Sequence, residues 1–201
     1  MAGKVVPLSS RAALRPDQAG GKGAGLARLL KARFPVPAGI VITTEALRGH
    51  LCAALAAAAP AGSPVPPAGP DLEAARRFCL DWEPPAPLRR DIMAAYRRLG
   101  AGPVAVRSSM VGEDAAAASF AGQLESVLDV EGEGALLDAL RKVIASAFGD
   151  RLWAYFGLPA PRSAPALAVV VQRMVPAAVA GVAFSVDPVT CRPGVVIEAV
   201  A

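Results

Sequence analysis

Residues that often carry chemistry on their own are scarce here: one histidine, three cysteines, and aromatics at only 5% of 201 positions. The histidine, His50 in "LRGHLC", has no nucleophile partner in view, so a structural role is expected of it rather than general-base chemistry. Cys52, Cys79 and Cys191 are odd in number, far apart and outside any CxxC pair. That argues against a disulfide framework or a zinc site and fits a reducing compartment. Two Trp, two Tyr and six Phe leave little for base stacking. The arginine pairs Arg76-Arg77, Arg89-Arg90 and Arg97-Arg98 fall on predicted helices with acidic neighbours and read as solvated faces, not a nucleic-acid surface. Long apolar runs are missing too. The longest, "LCAALAAAA", is nine residues, about half of what a membrane-spanning helix needs. The opening "MAGKVVPLSSRAALRPD" has no apolar core of a secretory signal. A soluble, cytoplasmic protein without nucleic-acid or membrane partners is the expectation.

What is present fits a folded domain. The apolar share is 54% and the charged share 19%, enough for a real core in one domain or two small lobes. The net charge of +4 suits an anionic small molecule. Apolar spacing predicts a short helix over 26–32, a strand over 40–43 and a helix capped by Thr43 or Thr44. "PAGSPVPPAGP", 60–70, is a loop by composition. Helices follow over 72–82 and 88–99, then a strand over 104–107 that ends in a polar cluster. "QLESVLDV" alternates, which sets Leu124, Ser126, Leu128 and Val130 on one face and Gln123, Glu125 and Asp129 on the other. A long helical pattern covers 135–156, and three β-like runs close the sequence. The class is therefore α/β or α+β. The final run is apolar and uncapped, which reads as part of a longer chain.

Four short stretches are candidates for binding. "GGKGAGL" surrounds Lys22 with glycines ahead of a helix, where exposed N–H groups and the positive helix end favour anions; a surface lysine in a flexible turn is the plain alternative. It satisfies neither the Walker phosphate loop nor the dinucleotide fingerprint. In "VAVRSSMVGED", Arg107 ends a strand with a fork suited to phosphate, beside the hydroxyls of Ser108 and Ser109; pairing with Glu113 or Asp114 competes with that role. In "SFAGQLES", Gly122 permits close backbone approach and Ser126 offers a hydroxyl, or the two are a bulge glycine and an ordinary strand serine. In "VVVQRMV", Gln172 can hydrogen-bond a ring edge and Met174 can pack a flat ring, or both serve the core. Asp187 in "SVDPVT" shapes a turn with Pro188.

Taken in order, "GGKGAGLARLLKARFPVPAGIVITTEAL", "VAVRSSMVGEDAAAASFAGQLESVLDV" and "VVVQRMVPAAVAGVAFSVDPVT" resemble the N-terminal ATP-binding domain of the pyruvate phosphate dikinase and phosphoenolpyruvate synthase family, including the rifamycin phosphotransferases. The resemblance runs from about residue 10 to the end and is weakest between His50 and Gly100. It implies an ATP-grasp fold, with residues 1–165 as the first lobe and 166–201 as strands that begin the second. It also implies that Lys22 and Arg107 bind the nucleotide phosphates and serve catalysis, that Gly122 and Ser126 border the nucleotide, and that Gln172, Met174 and Val175 line the adenine side. Such proteins pass phosphate from ATP to a histidine on a separate swivelling domain and on to an acceptor domain. Pyruvate, water and a rifamycin hydroxyl are all compatible acceptors.

Three departures stand out. A "GLGE"-type segment and the magnesium ligands follow the stretch matching "VVIEAVA" in that family, so those ligands are expected beyond Ala201. No phosphohistidine segment is present, and His50 does not replace it. "MVGED" replaces a loop that in that family usually carries small hydroxyl or alanine residues, so no hydroxyl contacts are expected from Met110 and Val111. A non-catalytic nucleotide-binding or partner-binding module of the same fold is the alternative reading.

Overall fold

The computed structural model describes residues 3–59, 70–100, 102–112, 124–155 and 163–200. Residues 60–69 of the loop expected at 60–70 and the stretch 113–123, which holds Glu113, Asp114 and Gly122, lie outside the described residues. The chain runs β1 (Val5–Pro7), α1 (Pro16–Lys31), β2 (Gly39–Ile42), α2 (Thr44–Ala57), α3 (Leu72–Leu80), α4 (Ala86–Arg98), β3 (Val104–Met110) and β4 (Ser126–Val130). It continues through α5 (Glu133–Ala145), α6 (Asp150–Tyr155), β5 (Leu167–Arg173), β6 (Ala180–Val186) and β7 (Pro193–Val200). Among the described residues five strands form one sheet in the order β1-β2-β5-β3-β4, and β6 and β7 form a second, two-stranded sheet. Every pairing is antiparallel. With helices and an antiparallel sheet, the architecture is α+β.

The sheet has two buried faces, and each meets different helices. Ile40, Ile42, Val104, Val106, Val169 and Val171 face a large core supplied by α2 to α6. Val41, Ala168 and Val170 face a small core whose helix is α1, through Ala19 and Ala27. Burial on both faces explains why "LAVVVQ" reads as a continuous apolar run. β5 is the central strand, between β2 and β3. The change of sheet therefore falls after Arg173, not before residue 166 as the sequence led us to expect. Periodicity marks a strand buried on both sides but says nothing of which sheet it joins.

Local chemistry accounts for the element boundaries. Thr43 caps α2, accepting from the Ala46 N–H at 3.4 Å. Asp71 caps α3 through the Glu73 and Ala74 N–H groups. α5 presents Leu136, Leu140, Val143 and Ile144 to the core, each contributing about 2 kcal/mol by burial. The helical pattern expected over 135–156 breaks into α5, a 3-10 turn at Ser146–Phe148 and α6, with Gly149 extended between. β3 is longer than expected, so Arg107, Ser108 and Ser109 lie inside the strand.

Tyr96 is buried and joins three segments. Its hydroxyl donates to the Gly102 carbonyl at 3.3 Å and accepts from the Gly132 N–H at 3.0 Å. On the same side, Arg141 of α5 donates to the Trp82 carbonyl at 2.8 Å and pairs with Asp138 and Glu83.

In β6 and β7 the apolar side chains are open on both faces. Val182 and Phe184 share one face with Val196 and Val200, while Ala183 and Ile197 share the other. The connecting turn is set by Asp187, whose carboxylate accepts from the Thr190 hydroxyl and from the Val189 and Thr190 N–H groups. These bonds, the Thr190 hydroxyl first, hold its carboxyl below the usual carboxylate range. That matches the turn role expected of it.

His50 stacks on Phe78 at 5.2 Å and lies tilted against Trp82 at 5.3 Å. Its Nε2 is buried without a hydrogen-bond partner, and burial lowers its pKa from 6.5 to about 4. The neutral ring is thus the form the fold accepts. The contribution is complete above pH 6.5, where the unfolded chain is also neutral at this position, and is lost as pH falls from 6.5 towards 4. Urea titrations from pH 7 to pH 4 are expected to show His50→Phe gaining stability over the parent as pH falls. A constant difference would contradict the assignment.

Candidate functional site

α1 is a helix with one opened rung. Gly20 has φ 68° and ψ −179°, outside helical values, while the residues on both sides remain helical. In an unbroken helix the Gly23 N–H would donate to the Ala19 carbonyl. Here the Ser109 hydroxyl of β3 stands between them, accepting from the Gly23 N–H at 2.9 Å and donating to the Ala19 carbonyl at 2.6 Å. An inserted hydroxyl and a left-handed glycine are together sufficient cause for the kink. One turn earlier, the Asp17 carbonyl receives the Thr44 hydroxyl at 2.6 Å, which ties α1 to the start of α2.

Small residues let this helix lie close to the sheet. A Cβ at Gly20 would sit 2.1 Å from the Ser109 carbonyl oxygen. One at Gly23 would meet Ala19 at 3.1 Å and Val170 and Val41 at 3.5 Å. Lys22 belongs to the opened turn between these glycines and is partly buried. The sequence reading placed the glycines in a turn ahead of a helix starting at residue 26; they lie inside one that begins at Pro16. Glycine's low helix propensity argues against that placement, and packing against the sheet overrides it.

Strand pairing gathers three of the expected residues on the face that α1 covers. Arg107 is opposite Val170 of β5, a member of the α1-side core, and opposite Ser126 of β4. Gln172 is opposite Ala105, two residues along β3 on the same side. Arg107 is partly exposed, Ser126 exposed and Gln172 buried. Among the described residues no acid forms an ion pair with Arg107. Gln172 donates from Nε2 to the Pro37 carbonyl at 3.1 Å, which anchors the entry to β2. Met174 follows the end of β5, its N–H bonded to the Pro103 carbonyl at 3.0 Å, and Val175 is exposed. Met174 and Val175 line a cleft of about 360 Å³ together with Pro103, Gly102 and Asp129.

Two expectations need correction. Ser108 does not join Ser109 and Arg107: strand alternation turns it to the large core, where its hydroxyl is buried without a partner. Ser109 has no donor left for a ligand, because its one O–H is spent on Ala19. The alternation expected across "QLESVLDV" is interrupted as well. Val104 and Val106 of β3 oppose Val130 and Val127, so β4 holds an extra residue, and Asp129 takes φ 54°. This bulge sets Val127 and Val130 against the core and leaves Leu128 exposed. Ser126 still falls opposite Arg107, ahead of the bulge.

Other features carry less. A cleft of about 300 Å³ beside β1 is lined mostly by apolar residues, among them Val6, Leu8 and Leu30, with Ser9 and Arg98 as its polar side chains. Cys79 is buried, which pushes its thiol up to about 12. Among the described residues no three His, Cys, Asp or Glu side chains gather as a metal site. No helix among them is long and apolar enough to cross a membrane.

Residues 16–201 match the family described as "Pyruvate phosphate dikinase, AMP/ATP-binding domain", which makes the chain a nucleotide-binding α+β domain. The chain belongs to that family. It is 37% identical over 187 residues to the phosphoenolpyruvate synthase of Aeropyrum pernix, covering 85% of this chain and 23% of the relative. It is 37% identical over 190 residues to the prodigiosin synthesizing transferase PigC of Serratia marcescens, covering 92% and 20%. The phosphoenolpyruvate synthase of Pyrococcus furiosus is 30% identical over 217 residues, covering 85% and 27%. The chain thus spans roughly a fifth to a quarter of these relatives.

The kink makes a direct demand on Gly20. Gly20→Ala meets both the strand backbone and a left-handed φ, and is expected to cost about 3 kcal/mol. At Gly25 nothing lies within 4 Å of the Cβ position, so Gly25→Ala should raise stability by about 0.5–1 kcal/mol. Urea denaturation of the two variants checks both, and equal effects would remove the kink from the account.

Proposed function

We propose that the chain binds ATP along the α1-covered face of the five-stranded sheet, as the ATP-binding portion of a dikinase-type phosphotransferase. The observation that carries this reading is the shared placement of Arg107, Ser126 and Gln172 on one side of the sheet, the side against which α1 packs through Ala19, Gly23 and Ala27. In the proposed arrangement Lys22 and Arg107 are the cations on the phosphates, and Ser126 adds a hydroxyl beside Arg107. Met174 and Val175 receive the base in the cleft past the end of β5, and Gln172 precedes them within that strand. From Val170, opposite Arg107, to Met174 is four residues of extended chain, about 13 Å. That length suits a triphosphate at one end and a base at the other. Gly122 belongs to the proposed border of the site and lies outside the described residues.

The chemistry asked of these residues is phosphoryl transfer, in which fixed positive charge and donors stabilise negative charge spreading over the transferred group. An ATP-grasp arrangement belongs to this reading, with the five-stranded sheet in one lobe and β6–β7 in the other. So does a histidine acceptor on another domain. Relatives named as a phosphoenolpyruvate synthase and as a prodigiosin synthesizing transferase match the same segment. That supports a domain that activates phosphate and leaves choice of the final acceptor elsewhere. Magnesium is implied for such a reaction, but the described residues offer no fitting donor set, and Asp187 is already spent on its turn. No step is assigned to the metal. The 201-residue chain by itself should bind ATP without turning it over.

Calorimetry on parent and Arg107→Ala tests the reading. Loss of one charge-assisted phosphate contact predicts about tenfold weaker ATP binding, with an unfolding midpoint within about 2 °C of the parent. Equal affinities would take Arg107 out of the site, and AMP production by the purified chain would overturn the proposed inactivity.

A further inference from the structure

The opened rung of α1 leaves a question that the ligand does not answer: what holds the Lys22 turn in place. A helix that restarts after a kink needs a capping acceptor for its first N–H groups, normally the side chain of the residue at the break. That residue is Gly20, which has no side chain and cannot carry one, since a Cβ would lie 2.1 Å from the Ser109 carbonyl oxygen and 2.4 Å from its hydroxyl. The cap therefore comes from another segment. Ser109 Oγ accepts from the Gly23 N–H at 2.9 Å, as an N-cap oxygen would, and its proton goes to the Ala19 carbonyl at 2.6 Å. Both groups released by the kink are satisfied by one hydroxyl that is fully buried.

We propose that Ser109 is the positioning residue of the nucleotide site, fixing the opened turn that carries Lys22 to the strand that carries Arg107. The proposal rests on the nucleotide reading above. Ser109 and Arg107 are two residues apart on one side of β3, and Gly23 follows Lys22 directly. The hydroxyl is thus a short, directional link between the backbones that hold the two cations. It touches no phosphate itself, because its single donor is used within the protein. Ser108 supplies a built-in comparison, being equally buried one position away but without any partner and on the opposite face of the strand.

The test measures backbone amide exchange in the nucleotide-free chain and ATP affinity by calorimetry, in the parent and three variants. Ser109→Ala is expected to speed exchange at Gly23 by about tenfold or more and weaken ATP binding by about tenfold. Ser108→Ala should leave both unchanged, since it removes only an unpartnered hydroxyl. Val143→Ala, in the core on the far side of the sheet, supplies a general loss of stability: it sets the speeding of Gly23 exchange that global opening alone produces, which Ser109→Ala should exceed, and it should leave ATP affinity near the parent value. Unchanged exchange at Gly23 in Ser109→Ala overturns the cap. A loss of affinity no greater than that of Val143→Ala overturns the positioning role. A parent chain with no affinity for ATP overturns the nucleotide reading and the positioning role with it, an outcome recognisable because it appears before any substitution is made.

Discussion

Ser109 Oγ lies 2.6 Å from the Ala19 carbonyl and 2.9 Å from the Gly23 nitrogen, where continuous helix would have joined the two directly. Most of what is distinctive on that side of the sheet follows from this insertion. It requires a residue at position 20 with no side chain and a left-handed backbone. It also requires small residues at 19, 23 and 27, so that the helix axis comes near enough to the sheet for a serine to reach into it. Gly23 against Val41 and Val170 provides that approach. The glycines that look like a flexible loop are therefore a packing surface, and their cost in helix propensity, about 1 kcal/mol each, is offset by contact with a rigid strand face.

Charge is distributed unevenly around this frame. On the helices of the other face, Arg76 and Arg77 pair with Glu73, Arg89 with Glu83, and Arg97 with Glu133. These exposed pairs contribute little stability, but they balance that layer internally. Arg141 is the exception, because its guanidinium is mostly covered and also donates to the Trp82 carbonyl. It joins α5 to the segment between α3 and α4 and so has a packing role as well as an electrostatic one. A chain with a net charge of +4 can in this way pair many arginines at its surface and still keep Arg107 on a sheet face. An anion approaching that face meets a guanidinium whose backbone position and side-chain face are set by β3.

Helices with clean apolar stripes and conventional caps were readable from the sequence, as were the strands at residues 39–42 and 167–173. The cap at Thr43 and the Asp187 turn rest on interactions within a few residues, which sequence patterns do carry. What escaped were features fixed by distant partners. Nothing in "GGKGAGL" announces that Ser109, 86 residues past Gly23, will enter the helix. Nothing in "RSS" says which hydroxyl faces α1 and which is sealed in the core, until the strand's ends and its alternation are fixed. The bulge at Asp129 is similar: alternation across 123–130 looked regular because Leu128 is apolar, yet it is one of the exposed apolar residues. The grouping of Arg107, Ser126 and Gln172 follows from pairing partners rather than spacing, and only the resemblance to a family anticipated it.

The hairpin β6–β7 bears on how far binding and chemistry can be separated. A strand polar on one face needs cover on one side only. Here Val182 and Phe184 occupy one face and Ile197 the other, a pattern suited to cover on both sides. Two strands alone cannot provide it, and a lone hairpin is marginal in water. On the proposed reading a nucleotide on the α1 face meets the cations that β3 and α1 carry, and this binding does not require exclusion of water. Phosphoryl transfer to an acceptor other than water demands more, since the site must close against solvent. On the proposed reading, recognition of the triphosphate is a property of the five-stranded sheet and its kinked helix, whereas commitment to transfer depends on apolar surface that the hairpin presents and the described residues leave bare.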